Sequence, residues 1–159
     1  MGLKKDRLVK ETDISFYFNS VATRGGIASV QTGGSGLALD NQGTAASPKP
    51  LARYSANSSG AVPIGVLEQD TVSIDLTLYH TNFHKDQVAI PGKVTIGRKG
   101  WYLTNFYIGT PTVSDKAFLS SSGYVQTTGN GEANNPRVGK FWSSPDEDGY
   151  VKLEVNLPY

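Results

Sequence analysis

Val151-Lys152-Leu153-Glu154-Val155-Asn156-Leu157 decides the fold. A strand sends successive side chains to opposite faces, so Val151, Leu153, Val155 and Leu157 line one face while Lys152, Glu154 and Asn156 line the other. Four inward apolar residues opposite a polar row suit a sheet covered on one side and wet on the other. Val72-Ser73-Ile74-Asp75-Leu76-Thr77-Leu78-Tyr79 carries the pattern most strongly, with Val72, Ile74, Leu76 and Leu78 on one face. Ile14, Phe16 and Phe18 alternate with Ser15, Tyr17 and Asn19 in the same way. Weaker strand patterns run over 27–32, 37–40, 51–55, 64–68, 94–96, 101–108, 117–119, 123–127 and 138–143. No eleven-residue window holds a helical period. The chain reads as all-β.

Turn signals separate these strands. Gly33-Gly34-Ser35-Gly36, Ser58-Ser59-Gly60 and Gly129-Asn130-Gly131 supply positions where a positive φ costs little. Pro48 and Pro50 fall in a stretch, 40–50, that reads as extended loop. Asp148-Gly149 reads as the tip of a closing hairpin between 138–143 and 150–157. Short, closely spaced strands of this kind predict a small barrel or sandwich-like domain.

Composition narrows the function classes. The 159 residues carry 15 Lys and Arg against 14 Asp and Glu, a formal charge of +1, which argues against a generic nucleic-acid binder. Gly, Pro, Ser, Thr and Asn make up about 40% of the chain, too turn-rich for a helical bundle, while 10% aromatic residues are too many for a disordered one. Cysteine is absent, so disulfides and thiolate metal sites are excluded. No apolar run approaches the roughly 18 residues of a helical membrane span. Met1 to Arg7 lacks a secretory apolar stretch, so assembly in the cytoplasm is expected. Within the first ten residues, Lys4, Lys5, Arg7 and Lys10 face only Asp6 in charge, and no helical stripe accompanies them. This segment reads as an extended N-terminal arm. Residues 1–33 are taken as the arm with the first strands, and 34–159 as the main β domain.

Chemical motifs fail one by one. His80 and His84 stand at i, i+4 but lack the glutamate of a zinc-protease helix and follow a strand pattern. The Asp146-Glu147-Asp148-Gly149 run lacks the spaced ligands of a calcium loop and reads as a charged hairpin tip. The glycine-rich 33–36 stretch has neither the Lys-Ser/Thr of a phosphate loop nor a dinucleotide fingerprint. No nucleophile elbow or apolar-set carboxylate pair is visible. The expectation is a protein without enzymatic activity, catalytic residue, metal or cofactor.

Aromatic residues are the remaining signal. Phe16-Tyr17-Phe18, Trp101-Tyr102 and Phe141-Trp142 put rings on consecutive positions, hence on both faces of a strand. One small core can take only one face, so the others need loop cover, a second sheet or a partner.

Val62-Pro63-Ile64-Gly65-Val66-Leu67-Glu68 precedes Val94-Thr95-Ile96-Gly97 and then Asp115-Lys116-Ala117-Phe118-Leu119-Ser120-Ser121-Ser122-Gly123-Tyr124-Val125. Val138-Gly139-Lys140-Phe141 and Gly149-Tyr150-Val151-Lys152-Leu153-Glu154-Val155 complete the order. Over about residues 60–157 this succession resembles the head decoration, or capsid cement, proteins of tailed bacteriophages. The N-terminal segment and loop 40–50 are longer than in the plainest members. The resemblance implies a barrel-like domain that forms a homotrimer on the outer surface of the virion head and clamps neighbouring major capsid protein subunits after expansion. It implies no nucleic-acid or membrane partner. On that footing the expected contacts are Lys4, Lys5, Arg7 and Lys10 of the arm and Ile14, Phe16, Tyr17 and Phe18 as a strand added to a capsid sheet edge. Trp101, Tyr102, Phe141 and Trp142 complete the set. The rival expectations are a carbohydrate- or host-binding β module of a phage fibre and a tail or neck subunit.

Overall fold

The computed structural model describes residues 10–18, 20–31, 37–39, 48–73, 77, 87–90, 92–129 and 134–157. His80, His84 and most of the 72–79 pattern therefore lie outside the described residues, as do Lys4, Lys5, Arg7 and the 33/34 boundary.

The described chain is all-β. Its strands are β1 (Glu11–Asp13), β2 (Tyr17–Phe18), β3 (Ile27–Gln31), β4 (Leu37–Leu39), β5 (Pro48–Ala52), β6 (Ala61–Leu67), β7 (Asp70–Val72) and β8 (Gln87–Ala89). They continue as β9 (Gly92–Lys93), β10 (Ile96–Thr104), β11 (Tyr107–Ile108), β12 (Lys116–Leu119), β13 (Val125–Gln126), β14 (Arg137–Phe141) and β15 (Val151–Asn156). Nine strands form a curled half-barrel sheet in the order β11-β13-β12-β14-β15-β10-β6-β3, with β1 also paired to β10. A four-stranded sheet, β4-β5-β2-β9, and the pair β7-β8 complete the described strands.

β15 lies between β14 and β10, antiparallel to both. Its alternation holds throughout: Val151, Leu153, Val155 and Leu157 are buried, and Lys152, Glu154 and Asn156 are not. The expected closing hairpin is present, and its turn is made by Gly149 N–H donating to Asp146 O while Asp146 N–H donates to Tyr150 O. Gly149 sits there at φ +78°, a value that glycine adopts freely.

Two apolar clusters fill the interior. The larger joins Ile27, Val66, Ala117, Leu119, Val125, Val138, Phe141 and the inward face of β15. The smaller joins Phe18, Ala28, Ala52, Leu67, Val94 and Ile96, with Tyr54 packed against it. Tyr54 donates to Thr23 O at 2.5 Å and accepts from Gly26 N–H at 3.1 Å, while its ring meets Phe18 edge-on and Phe106 at a tilt. Phe106 continues the contact to Tyr124, so this aromatic chain gives several rings the second cover that the sequence demands. Burial pushes the Tyr54 hydroxyl far above its ordinary range, and it stays a protonated donor.

The 40–50 stretch read as loop yields a strand at its end: β5 begins at Pro48 and pairs with β4. The polar run Glu11-Thr12-Asp13, which carries no apolar alternation, is also a strand. Its backbone pairs with Lys99, Gly97 and Ile96 of β10, and Glu11 meets Lys99 in an ion pair at 3.2 Å. Asp13 closes the strand by accepting from Ser15 Oγ at 2.5 Å and from Ser15 N–H at 2.8 Å. Those hydrogen bonds, aided by Arg98, hold its carboxyl below the ordinary aspartate value. A carboxyl whose folded value is depressed adds stability above its unfolded pKa of about 4, and that stability disappears as pH falls through the folded value. The stability difference between the native chain and Asp13→Asn is therefore expected at neutral pH and should close in acid. Urea titrations at several pH values measure it, and a gap that persists at pH 2 contradicts this origin.

Candidate functional site

The outward face of β12, β14, β15 and β10 carries the most distinctive surface among the described residues. The strand register sets Lys116 opposite Lys140, Lys140 opposite Glu154 and Glu154 opposite Trp101, one continuous row across four strands. A second row begins at Trp142, whose N–H donates to Lys152 O at 2.7 Å, and continues to Leu103, opposite Lys152. Inward neighbours fix which side chains point out, since Ala117, Gly139, Phe141, Leu153 and Val155 are all buried.

Trp101 and Trp142 stand diagonally across β15 and lean over it to meet. Their ring centroids are 5.5 Å apart and their planes 13° from parallel, an offset stack. Lys152 Nζ lies 4.1 Å from the Trp101 ring centroid, and Trp142 Nε1 donates to Glu154 Oε2 at 2.5 Å. The pair is held in place rather than left loose. It is nevertheless open to solvent: Trp101 is 41% exposed, Trp142 38%, Leu103 71% and Tyr150 41%.

Beside this face opens a cleft of about 550 Å³ lined by Lys10, Arg24, Glu68, Asp70, Tyr102 and Tyr150 among others. Its groups are already engaged with one another. Lys10 Nζ meets Glu68 Oε2 at 2.5 Å and lies 5.6 Å from the Tyr102 ring centroid, Tyr102 donates to Glu68 Oε1 at 3.1 Å, and Asp70 accepts from Arg24 N–H. Burial, reinforced by the Glu68 charge, raises the Tyr102 hydroxyl well above its ordinary value and keeps it a donor. No group of three or more metal-ligating side chains occurs among the described residues.

Of the residues singled out from sequence, the structure brings Trp101 and Trp142 together. Lys10 folds back onto Glu68. Ile14 is 63% exposed, Phe16 packs against the smaller cluster, and Tyr17 lies 5.7 Å from the Lys93 ammonium. Two expectations need correction. Phe18 and Phe141 are wholly buried, each in one of the clusters, so neither presents a surface. Tyr17–Phe18 also has no free edge for an added strand, because β5 pairs with it on one side and β9 on the other.

Sequence reasoning missed Leu103, Lys152 and Glu154, the last two because they read only as the wet side of a strand. The signal was register: once β10 and β15 are paired, Glu154 stands opposite Trp101 and Lys152 opposite Leu103. No protein-family model matches the chain. No curated protein matches it either.

Proposed function

We propose that this chain is a structural virion protein that docks on the outer surface of an expanded phage head, joins neighbouring major capsid subunits and works as a homotrimer without cofactor. Head assembly in the host cytoplasm and the charged leading residues as an arm over the neighbouring subunit belong to the same reading. The observation that carries it is the exposed, prearranged Trp101–Trp142 stack on a rigid sheet. Large aromatic side chains held in one geometry lose little entropy on docking, and Trp is enriched among the residues that dominate protein interfaces. A ligand that binds only the expanded shell stabilises it by mass action, about 2.7 kcal/mol per site at a hundredfold excess over Kd.

The sugar-binding alternative is weaker on the same geometry. A stacking platform offers a free indole face, whereas these rings are turned largely toward each other, with Lys152 over Trp101.

Electron microscopy of the virion that carries the chain tests the reading. Density for 17.0 kDa copies is expected at three-fold or pseudo-three-fold positions of the head. Density confined to a fibre, tail or neck overturns it. The Trp101→Ala/Trp142→Ala variant should remain folded yet bind expanded heads at least about 30-fold more weakly, the equivalent of one 2 kcal/mol interface anchor. Cosedimentation across a concentration series reads the change.

A further inference from the structure

We infer that the Trp101–Trp142 face takes a protein surface that presents carboxylates beside an apolar hollow. This rests on the docking role just proposed and names the chemistry of the partner.

Four ammonium groups, those of Lys99, Lys116, Lys140 and Lys152, share the face with Glu154, and Glu11 of β1 pairs with Lys99 at its edge. Glu154 is committed to the Trp142 indole. Among the described residues, neither Lys116 nor Lys140 makes an ion pair, and Lys152 lies over Trp101 instead. Lys116 and Lys140 are directly opposite one another on neighbouring strands, an arrangement that is unfavourable in isolation. An incoming anion converts that repulsion into attraction. In a chain of net charge +1, this is a local positive field around an apolar ridge.

The geometry also orients the partner. The acidic hairpin tip, Asp146 to Asp148, lies beyond the Trp142 row, while Lys116 and Lys140 lie in the row away from it. Repulsion at one end and attraction at the other place the partner's carboxylates over the Lys116–Lys140 pair and its apolar hollow over the indoles. Protein carboxylates fit better than nucleic acid. Base stacking needs free aromatic faces, and these indoles are turned largely toward each other.

The two tryptophans are the only ones in the chain, so their fluorescence reports on this face alone. The test titrates the full chain with poly-L-glutamate, with poly(dT) and with dextran. A saturable change with poly-L-glutamate that weakens with added salt is expected, and none with dextran. Lys116→Gln/Lys140→Gln should lower the poly-L-glutamate affinity at least about tenfold, the low end of electrostatic steering effects. Lys116→Glu/Lys140→Glu should abolish the response, whereas Lys93→Glu, on the four-stranded sheet, should leave it unchanged. No saturable response, an unchanged affinity in both lysine variants, or tighter binding of poly(dT) or dextran overturns the inference. Failure of the docking role looks different: the double tryptophan variant would then decorate heads normally. If that variant fails on heads while Lys116→Gln/Lys140→Gln decorates them fully, the docking role stands and the carboxylate preference falls.

Discussion

Gly139→Ala is expected to cost about 3 kcal/mol or more, at or beyond the upper end of ordinary overpacking penalties. A Cβ at Gly139 would coincide with the carbonyl oxygen of Glu154 on the paired strand, and Val155 Cα would lie within 3.3 Å. The obstruction is backbone, so no side chain can rotate away. β14 and β15 would have to separate at Gly139–Val155, which loosens Lys140–Glu154 and Phe141–Leu153 on the same ladder. Domains of this size are stable by only about 5–15 kcal/mol, so one methyl removes a large share. The urea midpoint should fall sharply at an unchanged slope. A loss below about 1 kcal/mol would mean that the strands part easily, contrary to the close-packed interior described here.

Phe141→Ala should be the second-largest loss, about 3–5 kcal/mol for a buried phenylalanine that leaves a cavity. Phe141 is fully buried, with Leu153 opposite it and the rest of the larger cluster around it. Its neighbour Trp142 provides the internal control. Truncating Trp142 removes a solvent-open stack worth about 0.5–1.5 kcal/mol beyond its area. One residue apart, the first change should remove a large share of the stability and the second should spare the fold while weakening docking. Thermal or urea unfolding of both variants gives the comparison. Equal losses would show that the indoles belong to the core and would remove the basis for a docking face.

The closing hairpin was legible because β15 satisfies two demands together: alternation and a glycine turn beside it. β1 was not legible. Glu11-Thr12-Asp13 has no apolar face, and its place is set by main-chain pairing to β10 and by the Lys99 ion pair. Alternation in 14–18 predicts one strand, but only Tyr17–Phe18 is one, and Asp13 and Ser15 are hydrogen-bonded to each other where β1 ends. The aromatic doublets correctly implied rings on both faces, yet the inward member could not be chosen from sequence. Inside and outside depend on which strands flank β14 and β10, a long-range fact. The same holds for the Trp101–Trp142 stack, whose members are flagged singly but meet only through the register of the strand between them.

The pairing of β1 with β10 has a consequence for biosynthesis. Roughly 85 residues separate the two strands. At about 5–20 residues per second, a ribosome makes β1 some 4–17 seconds before its neighbour exists. β10 in turn must wait for β15 to emerge. The larger apolar cluster, which needs β14 and β15, therefore stays uncovered until β15 is translated, the interval in which a chaperone would find it.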